Sequence, residues 1–481
     1  MNASSILPIL LQEFHDKIVG LKDLVDRDVR FPKAPNKIKV AIGMRRSGKT
    51  YFLYQTILKL LEDGADQTSI LYINFEDDRL VPLNEKKMAE FVDAFYALYP
   101  ENHDKKCYFF FDEIQTVEQW PLVIRRLHDS KRVEIFLTGS SAKLLSKEIA
   151  TSLRGRSLAI EIWPYSFQEF RRAKKLSIDQ SLYREGLKNR NMARRRPEFE
   201  PGSAGGEAAQ LEQVERCSRV SNSVAGDDAR TDFSITSGIY GKKTQDKMKH
   251  AFQQYLSEGG FPEILSFDPA IKQQTLQEYL NVTIYRDIVE RYEIAHPVLI
   301  KYMILSMIHN VGKPFAINKF YNDAKSQGYQ TGKDILYEYA SYIEDAYLAF
   351  SIPLYDLSIR KIQTNPKKIY AVDPGLIRAL TLEYEKDFGR LFENVIYLEL
   401  RRLGFNVNYY LTAERYEVDF LAKTPRGAKK LFQVAWEMDD PATMAREQRA
   451  LAAGMKELKV EGEIITLDSY LKEGIGQLII Q

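Results

Sequence analysis

Cysteine is nearly absent: the 481 residues contain two, Cys107 and Cys217, far apart and without metal-ligand spacing. That scarcity argues against a disulfide framework or a thiolate metal site, and for one buried small hydrophobe and one loop thiol in a reducing compartment. Net charge is almost absent as well, at +2. No attraction of the whole protein for nucleic acid follows from it, so any such binding must come from a local patch. No stretch approaches the ~18 consecutive apolar residues of a membrane span, and the start has no basic–apolar–small leader pattern. A soluble, cytoplasmic protein is expected. No solenoid-type repeat is visible either.

What is present is enough to fill several cores, with 44% hydrophobic residues over a length that suggests about three domains. Residues 1–35 include "LLQEFHDKIVGLKDLVDRDV", whose helical spacing predicts one or two amphipathic helices. Across 36–184, short β-rich runs ("KIKVAIG", "SILYINFED", "CYFFFDE", "VEIFLTGSS", "SLAIEIWPYS") alternate with helical segments. This pattern predicts an α/β layer, a mostly parallel sheet with helices on both faces. Residues 185–235 are rich in Gly, Ser, Ala and mixed charge and predict a disordered insertion. Its Arg194, Arg195 and Arg196 are read as solvated linker rather than as a nucleic-acid contact.

Residues 236–360 predict helices and then a winged-helix-like unit, a fold that can enter a DNA groove. Its second helix carries Lys333 but also Asp334, Glu338 and Glu344, poor chemistry for phosphates, so a structural or protein-contacting role is the preferred reading. Residues 361–481 predict a further α/β unit: the helix "GRLFENVIYLELRRLG", then strands "NVNYYLT", "YEVDFLA", "KLFQVAW" and a closing "EGEIITLD".

The strongest local signal is Gly43-Met44-Arg45-Arg46-Ser47-Gly48-Lys49-Thr50, which fits G-x-x-x-x-G-K-[ST] between a strand and a helix. The glycines permit close backbone approach. Loop N–H groups and the helix start, through Tyr51, would face phosphate oxygens. Lys49 would reach the β- and γ-phosphates and the Thr50 hydroxyl would ligate Mg²⁺. Arg45 and Arg46 either support the loop against neighbouring acids, the preferred reading, or face a partner subunit. "CYFFFDE" brings Asp112 to the end of a buried strand as the Walker B carboxylate that holds Mg²⁺ through water. Glu113, next to it, can polarise an attacking water, which favours hydrolysis over phosphate transfer to a small metabolite. In "LTGSS", Ser140 or Ser141 is a candidate γ-phosphate sensor, although Ser also suits a helix N-cap there. In "TSLRGRS", Arg154 or Arg156 is a candidate arginine finger, the alternative being a surface ion pair.

Together "GMRRSGKT", "FFFDEIQ", "LTGSSAKLLSKEIATSLRGR", "WPYSFQEF", "GGFPEIL" and "YRDIVERYEI" resemble the prokaryotic AAA-superfamily ATPases that end in a domain of unknown function. "PKKIYAVDPGL", "GRLFENVIYLELRR" and "EVDFLA" resemble that terminal domain. The resemblance implies ATP with Mg²⁺ and an ASCE-type sheet with the P-loop strand central, and it is compatible with a homo-oligomer. The C-terminal unit is similar to the PD-(D/E)XK, restriction-endonuclease-like fold, whose acids and lysine bind a metal and activate water. Glu393 and Asp419 match that pattern, but Gln433 stands in place of an acid and Ala435 in place of the lysine. Lys429 or Lys430 are the nearby candidates to substitute, and Glu393 has a plain alternative as a partner of Arg390 or Arg401. A degenerate nuclease fold is therefore expected. The leading expectation is an ATPase that hydrolyses ATP to drive or gate its C-terminal domains. The alternatives are a nucleotide-gated DNA- or protein-binding switch with slow hydrolysis, and an ATP-dependent nuclease.

Overall fold

A computed structural model describes residues 2–21, 23–139, 153, 155–176, 242–381, 387–437 and 440–480. Ser140, Ser141, Arg154, Cys217 and the 185–235 insertion lie outside the described residues.

Five strands, β1 (Ile38–Ile42), β2 (Ile70–Asn74), β3 (Cys107–Asp112), β4 (Val133–Gly139) and β5 (Ser157–Glu161), form a sheet in the order β2-β3-β4-β1-β5. All its pairings are parallel, so all five strands deliver their carboxyl ends to one edge. The aromatic run of β3 explains why it lies inside. Side chains alternate across a strand, so Phe109 and Phe111 join Phe91 and Phe95 in one layer, while Phe110 joins Leu53, Tyr54 and Phe136 in the other. Phe110 stacks flat on Phe136 at 4.4 Å between ring centres. The helix Ala3–Gly20 runs past the outer strand β2, with Ala3, Ile6 and Leu7 in the first layer and Phe14 and Ile18 in the second. It thereby covers an edge that would otherwise be open to strand addition. This single helix replaces the pair that the sequence allows; residues 23–37 form no helix and instead lead Arg27 into the interior.

Beyond the insertion, helices Lys242–Glu258, Pro269–Val282 and Pro297–His309 are joined by a short turn at Glu263–Ser266 and a wide π-helical segment at Thr283–Glu290. Helices Ile317–Ser326 and Lys333–Asp345 follow, with an antiparallel three-stranded sheet of β6 (Pro314–Phe315), β7 (Ala349–Ile352) and β8 (Lys367–Ala371) in the order β6-β8-β7. β8 thus pairs with the helical region although it lies past the boundary at 361 expected from the sequence.

The last unit is a separate mixed sheet of β9 (Asn406–Leu411), β10 (Glu417–Lys423), β11 (Lys429–Ala435) and β12 (Glu461–Thr466), ordered β12-β11-β10-β9. Helix Phe388–Arg402 packs on one face through Phe392 and Val395, and helix Pro441–Leu458 on the other through Ala450 and Leu451. The β9–β10 register slips between Val418 and Leu421. Such a bulge re-aims the residues within it, and Asp419 is one of them. No helix among the described residues is long and apolar enough to cross a membrane.

Candidate functional site

The loop after β1 and the acidic end of β3 meet at the carboxyl edge of the first sheet, because β4 alone separates their strands. Gly43 is required where it stands: a Cβ there would lie 2.2 Å from the Ile162 carbonyl oxygen. Lys49 is 4% exposed, and its Nζ donates to the Gly43 and Met44 carbonyls at 3.2 and 3.0 Å. Burial lowers its pKa, against the pull of Glu113 and Asp112. Met44 turns into the core, Tyr51 is exposed, and the buried Ser47 hydroxyl has no hydrogen-bond partner. An orphan hydroxyl inside a loop of backbone donors fits an anion cradle, since a buried polar atom without a partner is costly.

Asp112 is 1% exposed. Burial raises its pKa, as does the charge of Glu113, while hydrogen bonds from Thr138, Thr50 and Tyr72 oppose the shift. Tyr72 Oη donates to Asp112 Oδ2 at 3.0 Å and lies 3.1 Å from Tyr54 Oη. Thr138 Oγ1 donates to Asp112 Oδ1 and accepts from the Glu113 backbone N–H at 2.9 Å. Thr138 is thus the polar residue at the tip of β4 that touches both acids. The sequence points to Ser140 or Ser141, which follow it and lie outside the described residues. Register sets Thr138 there: Phe111 pairs with Leu137, which puts Asp112 and Thr138 side by side. Glu113 leaves the strand at φ 54°, a left-handed conformation uncommon outside glycine and concentrated at functional sites. Its Oε2 accepts from Gln115 Nε2 at 2.5 Å. The neighbouring Thr50 hydroxyl and Asp112 carboxylate are the hard oxygen pair that Mg²⁺ takes, so the residues fit that ion.

The two loop arginines engage carboxylates from beyond the insertion. Arg45 Nε donates to both oxygens of Asp287, at 3.1 and 3.0 Å, and its Nη1 lies 3.5 Å from Glu76. Arg46 Nη1 pairs with Glu263 at 3.0 Å, and Glu263 also accepts from Tyr279 Oη at 2.6 Å. Asp287 is 5% exposed; burial raises its pKa, with Arg45 and Lys49 pulling the other way. Pro262 packs beside Gly48. In "GGFPEIL", a Cβ on Gly260 would sit 2.2 Å from the Tyr165 carbonyl oxygen, and one on Gly259, at φ 79°, would sit 2.0 Å from Asp373 Oδ1.

Arg27 braces the loop from the other side: Nη1 donates to the Ser47 carbonyl at 3.0 Å, Nε to Glu169 at 2.9 Å, and Nη2 to the Trp163 carbonyl at 2.5 Å. Neither Arg27 nor Asp287 is visible as a site residue in the sequence. Arg156 lies away from this cluster in a surface pair with Asp129 at 3.1 Å.

A family model described as an AAA domain matches residues 35–171, and one described as a domain of unknown function matches residues 249–387. An uncharacterised protein of Methanocaldococcus jannaschii is 33% identical over 461 residues, covering 95% of this chain and 87% of its own. An uncharacterised protein of Haemophilus influenzae is 27% identical over 404 residues, covering 84% of this chain and 83% of its own. Among solved structures, the Walker-type ATPase of Pyrococcus abyssi aligns with a TM-score of 0.41 and 12% identity, over 76% of this chain and 99% of that one. The chain belongs to the family of the Methanocaldococcus jannaschii relative, and its residues 35–171 are an AAA domain built on a P-loop sheet.

Proposed function

We propose that the protein is a Mg²⁺-dependent ATPase whose nucleotide state acts on the segment 259–290 through the two arginines of the phosphate loop. The observation that carries this reading is the convergence of Lys49, Thr50, Asp112 and Glu113 at one sheet edge, with Arg45 and Arg46 bound from that edge to Asp287 and Glu263. Lys49 and the loop N–H groups bind the β- and γ-phosphates, and Thr50 and Asp112 hold the metal. When bound, Mg²⁺ neutralises charge on the phosphate oxygens. The Glu113 carboxylate orients the attacking water and takes its proton, and Thr138 keeps the two acids in place. Arg154 and Arg156 stay candidates for a finger acting from a neighbouring copy.

Phosphate and carboxylate are alternative partners for the same guanidinium. ATP therefore competes with Asp287 for Arg45, and the π-helical segment responds. Wide turns of this kind gather at functional sites. Hydrogen exchange on the Glu113→Gln chain tests the coupling, because ATP persists there. ATP should change exchange across 283–290 by roughly five-fold or more, at the lower end of ordinary coupling energies. Asp287→Asn should remove most of that response while keeping ATP bound. An unaltered exchange pattern with ATP bound would end the coupling claim. Steady-state ATPase measured against protein concentration, with and without DNA, then separates action within one chain from activation by a second copy or by DNA.

A further inference from the structure

The C-terminal sheet has its own charged centre, independent of the nucleotide site. Lys368, on β8, is 1% exposed. Its Nζ lies 3.0 Å from Glu393, 2.7 Å from Glu417 and 3.0 Å from Asp419. These acids come from helix Phe388–Arg402 and from β10, so two elements bring carboxylates to an ammonium carried by a third. Burial opposes the lysine's charge, but Glu393, Tyr370, Asp419 and Glu417 together hold its pKa well above the ordinary value.

Two of these acids accept further hydrogen bonds. Glu393 Oε1 accepts from Tyr370 Oη at 2.6 Å, and Asp419 Oδ2 from the Val434 N–H at 3.0 Å. Gln433, at the position of the missing acid, donates to Glu447 at 2.5 Å and accepts from the Asp419 N–H at 3.3 Å. The lysines that the sequence offered as substitutes point elsewhere: Lys429 donates to Tyr355 at 2.6 Å, and Lys430 pairs with Glu463 at 3.0 Å. Glu393 meets Lys368 rather than the arginines of its own helix.

A nuclease-like centre would need these carboxylates for a divalent cation, and the residues do not fit that ion. A buried ammonium stands within hydrogen-bond distance of all three, and among the described residues no group of three or more His, Cys, Asp or Glu is arranged to hold a metal. We infer that Lys368 is the resident cation of this centre, replacing a divalent ion and tying the three-stranded sheet to the C-terminal sheet. The acids of the nuclease-like pattern then serve as a junction between two units and have no hydrolytic role.

The test is Mn²⁺ binding to the full chain without nucleotide, followed by the paramagnetic resonance of free Mn²⁺. Wild type and Asp419→Asn should bind Mn²⁺ equally. Lys368→Ala should gain a bound ion that the Lys368→Ala, Asp419→Asn double variant lacks, since the vacated centre keeps its three carboxylates. A wild-type site lost in Asp419→Asn would overturn the inference, as would a folded Lys368→Ala chain that gains no ion. If Lys368→Ala does not fold, the comparison of wild type with Asp419→Asn decides alone. Mn²⁺-dependent nicking of supercoiled DNA by wild type, abolished in Asp419→Ala, would equally overturn it.

Discussion

Replacing Glu113 with glutamine should leave ATP bound and cut its turnover by roughly 10²–10⁴-fold, the usual contribution of a positioned general base. The substitution is well matched to the site. Glutamine keeps a carbonyl oxygen to accept from Gln115, keeps the backbone N–H that donates to Thr138, and removes the ability to take a proton. It also lowers the negative charge beside Asp112, whose pKa the Glu113 charge helps to raise. Affinity for ATP should therefore hold or rise slightly while multiple turnover stops. Phosphate release and nucleotide binding measured on the same preparation separate the two effects. Turnover equal to wild type would remove Glu113 from the chemistry.

Lys49→Ala should act earlier, on binding itself. The ammonium is held by two carbonyls of its own loop and faces Asp112, Glu113 and Asp287 across the site. Hydrogen bonds to a charged group contribute about 1.5–3 kcal/mol, so ATP affinity should fall by roughly 10–100-fold. The three acids left facing the phosphates push in the same direction. Isothermal titration with ATP, and with AMP as a control lacking β- and γ-phosphates, would read this directly. Loss for ATP with AMP unaffected is the expected result, and equal affinities for ATP in both chains would contradict the assignment of Lys49.

The two variants also mark how far the sequence could be read. Gly43–Thr50 and Asp112–Glu113 are legible because each is a short contiguous pattern whose meaning is set by the strand before it. The parallel sheet is legible for a similar reason: its inner strands are buried on both faces, and "CYFFFD" could hardly lie elsewhere. The contacts that complete the site are of another kind. Arg45 meets Asp287 across 242 residues of chain, Arg27 meets Glu169 across 142, and Lys368 meets Asp419 across 51. No periodicity or spacing encodes such pairs, because each side chain alone looks like an ordinary surface charge.

Thr138 was nearer to hand, hidden only by attention to the serines that follow it. The bulge at Asp419 was hidden differently. The β9–β10 register shifts by one residue there, and nothing in the strand's composition announces it. For the residues before the family match the sequence allowed one or two helices, and the structure forms one, Ala3–Gly20. Helical spacing continues past Gly20, but Arg27 has more to gain from Glu169 and the Ser47 carbonyl than a helix could offer it.

That last placement bears on where the ATPase unit begins. The matched family region starts at residue 35, yet one strut of its phosphate loop is anchored upstream of that point and ends on Glu169, near the region's other limit. The loop hangs between a guanidinium that precedes the domain and carboxylates that follow the insertion. Homology thus draws its borders where sequence is shared, whereas the loop is supported by chain on both sides of them. The segment 23–37, though it has no regular structure, belongs mechanically to the nucleotide site.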